Sequence, residues 1–273
     1  MDLILTTGTN FMKTTDFKKK KQQKQKILML TCYDYPSARI IAESNIDCVL
    51  VGDSVAMTIH GHDSTVMATI EMMVMHTQAV ARGLTQQYLV SDLPFLCHRL
   101  SRDEVIQQIR RLMQAGAHAI KIEGGDPTTC QLITDLVSAG IPIFGHIGLT
   151  PQSVHQLGGY RVQGKKDHEA SQLLKQAENL EAAGCTAIVL ECIPSMLAQK
   201  ITQHIAIPTI GIGAGSDTDG QVLVWHDVLG IQDEWKPRFV KQYIHSKGLM
   251  IDAINSFVQE VHQGQYPSLE YAY

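Results

Sequence analysis

Four acidic side chains close short apolar runs in this sequence: Asp53 in VLVGDS, beside Ser54; Asp92 in YLVSDLP; Glu123 in AIKIEGG, two residues after Lys121; and Glu191 in AIVLECIP. Carboxylates gathered in one place repel one another unless a cation or a proton is shared among them. Hard oxygen donors suit Mg²⁺, which keeps several waters and takes few protein carboxylates. Zn²⁺ is disfavoured, because the 12 His residues, including His60, His62 and His76, form no HExxH motif and no CxxC pair is present. Any one of the acids could be no more than a cap for the helix that follows it. Four of them in equivalent places point instead to a site.

Equivalent places imply strands that all run the same way. From Ile27 onward, short runs rich in Val, Ile and Leu alternate about eight times with longer segments of helical period, the pattern of a parallel α/β chain. Strands are expected at Ile27–Cys32, Cys48–Gly52, Tyr88–Ser91, Ala119–Ile122, Pro142–Gly145, Ala187–Leu190, Pro208–Gly211 and Gln221–Val224. Between them SARIIAESN, SRDEVIQQIRRLMQAGA, TTCQLITDLVSAG and HEASQLLKQAENLEAAGC carry i, i+3, i+4 apolar spacing and end at or beside Gly or Asn, as helices do. The 273 residues are close to the ~250 of a (β/α)₈ barrel, and no linker divides them. The expected architecture is therefore a single α/β TIM barrel over residues 27–273, with C-terminal helices, preceded by an N-terminal arm or helix over residues 1–26. In such a barrel the ends of all eight strands meet at one mouth, where active sites sit. An open doubly wound sheet is the rival fold. It would carry GxGxxG after its first strand, where this chain has Tyr33-Asp34-Tyr35.

Other residues carry weaker signals. His146, in GHIGLTPQ, ends the fifth strand and could line the mouth or serve as a structural hydrogen-bonding group. The GIGAG segment, Gly211 to Gly215, lies where barrels often hold phosphate, yet three glycines also make tight loops for steric reasons. Met72, Met73 and Met75 read as core filler. The six dispersed cysteines read as reduced thiols. Cys192, next to Glu191, would act as a nucleophile only with a lowered pKa. The run KKKKQQKQK, Lys18 to Lys26, reads as a solvated helix or arm, with a polyanion-binding arm as the alternative.

A net charge of −4 and a pI near 6.3 argue against a nucleic-acid partner. No apolar run approaches the ~18 residues a membrane span needs, and MDLILTTGTN lacks the features of a secretory signal, so no membrane partner and a cytosolic location are expected.

The segments TCYDYPSA, VLVGDS, GHDST, KIEGG, GHIGLTPQS, GGYRVQGK, VLECIP and PTIGIGAG, with TDGQVLVWHD after it, resemble those of the ketopantoate hydroxymethyltransferase family, in the family's order. The resemblance runs from Thr31 to about Asp227 and implies a (β/α)₈ barrel, Mg²⁺ dependence and a homodecamer. It implies Asp53, Asp92 and Glu123 as metal-site positions, Glu123 directly or through a water. Asp53, Ser54, Asp92 and Lys121 fall where the 2-oxo acid is held, and Glu191 where the proton acceptor stands. The implied reaction transfers a one-carbon unit from 5,10-methylenetetrahydrofolate to 3-methyl-2-oxobutanoate, giving 2-dehydropantoate for pantothenate and coenzyme A synthesis. The sequence departs from the family's pattern at VMATIEMM and in its long lysine-rich leader.

Two other classes share some of these features. A Mg²⁺-dependent 2-oxo-acid lyase or mutase of the phosphoenolpyruvate mutase and isocitrate lyase type would use the same carboxylates without a folate. A non-catalytic barrel would need the acids to be structural.

Overall fold

A computed structural model describes residues 11–232 and 237–273. The chain divides into two compact units, Met1–Leu223 and Val224–Tyr273. The second unit carries a short helix, Trp225–Leu229, and a longer one, Ser246–His262.

The first unit is a closed barrel of eight parallel strands in sequence order: β1 (Ile27–Thr31), β2 (Cys48–Val51), β3 (Tyr88–Asp92), β4 (Ala119–Glu123), β5 (Ile143–Gly148), β6 (Ala187–Glu191), β7 (Thr209–Ile212) and β8 (Gly220–Leu223). Closure is made by β8 alongside β1, with Ile27 opposite Gly220. Gly220 is required there, since a Cβ would stand 2.4 Å from the Ile27 carbonyl oxygen. All eight expected strands are present, shifted by a few residues at their ends. The shift is consequential: Asp92, Glu123 and Glu191 are the last residues of their strands and belong to the paired backbone, more rigid than the loops beyond.

Period-two alternation fills the barrel. Met29, Leu50, Val90, Ala119, Phe144, Val189, Ile210 and Val222 point inward and form one buried cluster. Helices return between strands at the expected places, and their starts are fixed locally. Asp34 accepts from the Ser37 N–H at 2.8 Å, and Asp126 accepts from the N–H groups of Thr128 and Thr129 at 3.1 and 3.2 Å. Ser101 and Glu104 form a reciprocal capping box. The three methionines divide along the helix Ile70–Gly83. Met73 is fully buried as core, whereas Met75 is exposed, against the expectation that all three fill it.

The lysine-rich segment is largely the solvated helix expected, with Lys20 and Lys21 half-buried and tied to the barrel. Residues 1–10 of the expected N-terminal arm lie outside the described residues. The helix Thr14–Gln22 inserts Phe17, fully buried, edge-on to Tyr88 and Phe144 at centroid distances of 5.0 and 5.1 Å. Tyr88 opens β3 and Phe144 lies near the start of β5, so Phe17 plugs the barrel floor opposite the mouth. Lys21 ties this helix down: its Nζ donates to the carbonyls of Thr202 and Ile207 and pairs with Asp219 at 2.9 Å. Lys20 pairs with Asp47 at 2.7 Å, and Lys26 donates to the carbonyls of Ser216 and Thr218. Lys18, Lys19 and Lys24 remain exposed.

Candidate active site

Strand register brings the expected residues together. Lys121 and Glu123 stand two apart on β4 and share its inward face. On β3, Asp92 is level with Lys121, and on β5, His146 is level with Glu123. Lys121 Nζ consequently lies 3.1 Å from Asp92 Oδ1 and 3.8 Å from Glu123 Oε1, and Asp92 Oδ2 accepts from the Asp53 N–H at 3.0 Å. Ser54 Oγ is 2.8 Å from the hydroxyl of the fully buried Tyr33. Asp53, Asp92, Lys121 and Glu123 are all buried, while Glu191 keeps 17% of its side chain exposed at the mouth.

His146 joins the two halves of the cluster. Its Nδ1 is 3.2 Å from Glu123 Oε1 and its Nε2 is 3.2 Å from Glu191 Oε2. Burial and the neighbouring Lys121 oppose a charge on this ring, but Glu123 and Glu191 outweigh them and carry its pKa up to about 9. His146 is therefore an imidazolium between two carboxylates. Lys121 also approaches Nδ1 at 3.1 Å, and Asp92 and Glu123 offset the repulsion between the two cations. Of the two roles open to His146, lining the mouth or structural bonding, its 2% exposure and its contacts with Glu123 and Glu191 match the second.

Gln152 was not singled out from the sequence, although it lies within GHIGLTPQS. Its Nε2 donates to Asp53 Oδ2 at 2.8 Å and to the Leu93 carbonyl at 3.0 Å, and its backbone N–H donates to Glu123 Oε2 at 3.1 Å. A loop glutamine reaching across strands has no periodic signature. Gly148, at the end of β5, permits the approach of the neighbouring strand: with φ +99°, a Cβ there would stand 2.2 Å from the Glu191 carbonyl oxygen.

The electrostatics follow from burial. Asp53 is pushed well above the usual carboxylate range by desolvation, then by Asp92 and Glu123. Asp92 is raised by desolvation despite Lys121. Glu123 is raised by burial but brought below its ordinary value by His146 and Lys121. Desolvation also opposes the Lys121 ammonium, yet Asp92, Glu123 and Asp53 hold its pKa above the ordinary lysine value.

A hard divalent cation fits this environment. Asp92 Oδ1 and Glu123 Oε1 are buried acceptors without a hydrogen bond, with Lys121 Nζ 3.1 and 3.8 Å from them and His146 Nδ1 3.2 Å from Glu123 Oε1, and Asp53 is an acid whose charge is undercompensated. Among the described residues, no group of three His, Cys, Asp or Glu side chains converges as a ready cage. Few protein ligands, with waters and substrate oxygens completing the shell, is the Mg²⁺ pattern.

Cys192 has the opposite of an activated thiol: burial and Glu191 push it up to about 12. In the GIGAG segment Gly215, at φ +83°, packs so that a Cβ would meet Ser195 Cβ at 2.6 Å, which supplies the steric reason for a glycine.

The sequence profile of the ketopantoate hydroxymethyltransferase family matches residues 12–269. The 3-methyl-2-oxobutanoate hydroxymethyltransferase of Legionella pneumophila (strain Paris) is 63% identical over 262 residues, covering 96% of this chain and 100% of that protein. The protein of the same name from Coxiella burnetii (strain RSA 493 / Nine Mile phase I) is 49% identical over 259 residues, covering 95% and 97%. Among solved structures, phosphonopyruvate hydrolase in complex with oxalate and Mg²⁺ superposes with a TM-score of 0.61 at 10% identity, covering 94% of this chain and 92% of that one. A 2,3-dimethylmalate lyase of the PEP mutase/isocitrate lyase superfamily gives 0.58 at 14%, covering 94% and 89%. At such low identity these two structures speak for the barrel fold alone.

Proposed function

The chain belongs to the ketopantoate hydroxymethyltransferase family, and we propose that its reaction, hydroxymethylation of 3-methyl-2-oxobutanoate to 2-dehydropantoate, takes its one-carbon unit from 5,10-methylenetetrahydrofolate by way of an enolate that a bound Mg²⁺ would stabilise. The observation that carries this reading is the buried cluster of Asp53, Asp92, Lys121 and Glu123 with Glu191 at its open edge.

Asp53 and Asp92 would hold the ion, with Glu123 as a third ligand, directly or through a water. Bound there, Mg²⁺ would polarise the 2-oxo group and stabilise the negative charge that develops when C3 loses its proton. Asp53, Ser54, Asp92 and Lys121 orient the 2-oxo acid, with Lys121 donating to its carboxylate. Held as an ammonium between acids, Lys121 is a cation and not the free amine that a Schiff base would require. Glu191, partly open to the mouth, accepts the C3 proton. His146 fixes the Glu191 carboxylate by the 3.2 Å contact at Oε2.

C3 then bonds to the methylene carbon, and the carbon–nitrogen bonds of the folate bridge break. Water supplies the hydroxyl oxygen. The proton taken from C3 and one from that water balance the two nitrogens of the departing tetrahydrofolate.

In this reading the partners are a small 2-oxo acid and a folate, without nucleic acid or membrane, and the chain works as a cytoplasmic homo-oligomer, a decamer by family resemblance, in pantothenate and coenzyme A synthesis. Among the described residues no helix is long and apolar enough to cross a membrane. Incubation of the full chain with 3-methyl-2-oxobutanoate, Mg²⁺ and 5,10-methylenetetrahydrofolate tests the reading: 2-dehydropantoate should form only with all three. Carbon–carbon cleavage of a 2-oxo acid without folate would instead select the lyase or mutase chemistry.

A further inference from the structure

Beside the acid cluster lies a cavity of about 740 Å³ between the β4 exit and the helix Asp167–Ala182, and Glu123 and Gln152 line it together with Gln156, Gln172, Leu173 and Gln176. We propose that this cavity is the pterin-binding pocket, from which the folate presents its methylene carbon to the substrate held at the acids. The inference rests on the folate-dependent reading above.

Three observations carry it. The first is size. A small 2-oxo acid needs only a fraction of this volume, whereas ~300–1,000 Å³ is the range of pockets for larger organic ligands.

The second is position. The reacting carbons must meet within van der Waals distance, so the donor's pocket must adjoin the acids. Glu123 and Gln152 belong to both: Gln152 bonds Asp53 and Glu123, and both residues also line the cavity.

The third is chemistry. A pterin ring presents a flat face and an edge on which hydrogen-bond donors and acceptors alternate. Glutamine amides carry both functions without charge, and Leu173 supplies apolar wall. Gln152, only 5% exposed, has a buried Oε1 without a hydrogen-bond partner, a polar atom left unsatisfied at the edge of the cavity. Gly125 sets the wall, since a Cβ there would lie 2.8 Å from Gln176 Cβ and push the helix from the β4 exit.

The test uses the full chain with Mg²⁺ and two variants that fill the cavity from different sides, Gln172→Trp on the helix and Gln156→Trp on the β5 loop, both at exposed positions. Binding of tetrahydrofolate is measured by calorimetry. Solvent-deuterium exchange at C3 of 3-methyl-2-oxobutanoate, which needs no folate, reports in parallel on the acid site. The expected result is at least a tenfold loss of tetrahydrofolate affinity in both variants, with exchange continuing. Affinity within twofold of wild type in both would overturn the proposal. So would loss of exchange together with folate binding in both, because the wall would then belong to the acid site or to the fold itself. Wild-type protein that exchanges C3 but binds no tetrahydrofolate would refute the folate reading and the pocket with it, an outcome distinct from the other two.

Discussion

Gln152 donates from its side-chain amide to Asp53 at 2.8 Å across 99 positions of sequence. The loop after β5 thereby braces an acid just beyond β2, while the same residue's backbone N–H holds Glu123 on β4. Residues that orient metal ligands in this way typically matter ~10–100-fold for metal affinity or activity. Gln152→Ala is accordingly expected to shift the Mg²⁺ titration of turnover upward by about that factor. A Mg²⁺ titration matching wild type would remove Gln152 from the positioning role.

Asp53 bears the clearest electrostatic cost in the cluster, since burial, Asp92 and Glu123 all oppose its charge. Asp53→Asn relieves that repulsion. The metal-free variant should melt no lower than wild type, yet gain nothing from Mg²⁺ and lose turnover; Asp92→Asn should also lose turnover and Mg²⁺ response. A wild-type thermal shift with Mg²⁺ in both variants would contradict the metal assignment.

His146 supplies a pH dependence whose sign is fixed. Its pKa stands at about 9 in the folded chain against 6.5 as the ordinary value. The folded state therefore holds the proton more tightly, and its contribution is whole below pH 6.5 and lost as the pH rises through about 9. The melting temperature of the metal-free protein should fall across this window, and His146→Gln should flatten the fall. Parallel curves for the two proteins would show that His146 is not the group responsible.

The barrel and the acids were legible because both follow from period. Eight apolar runs mark strands, and polar residues that interrupt them at equivalent ends mark the mouth. His146 was only half legible, because a single His in an apolar run gives no sign of the two carboxylates it will meet. Gln152 gave no signal, since its reach depends on loop geometry. The lysine run was legible as a solvated helix, but the anchoring of Lys21 was not, for a related reason. The acceptors that fix Lys21 are carbonyls 181 and 186 residues away, and carbonyls have no residue-type signature.

Phe17 makes the N-terminal helix part of the barrel rather than an appendage. Its ring is fully buried against Tyr88 and Phe144. Phe17→Ala should cost about 3–5 kcal/mol of stability, the usual range for emptying such a site. Denaturant melts of the two proteins measure it, and a loss below about 1 kcal/mol would mean that the floor closes without the plug.

The central claim is that Glu191 takes a proton from a 2-oxo acid activated beside Asp53 and Asp92. Solvent-deuterium exchange at C3 of 3-methyl-2-oxobutanoate, followed by NMR without folate, tests it most directly. Wild-type protein should exchange with Mg²⁺ and stop when the metal is chelated, and Glu191→Gln should bind the acid but fail to exchange it. Undiminished exchange in Glu191→Gln, or exchange indifferent to Mg²⁺ in wild type, would contradict the account.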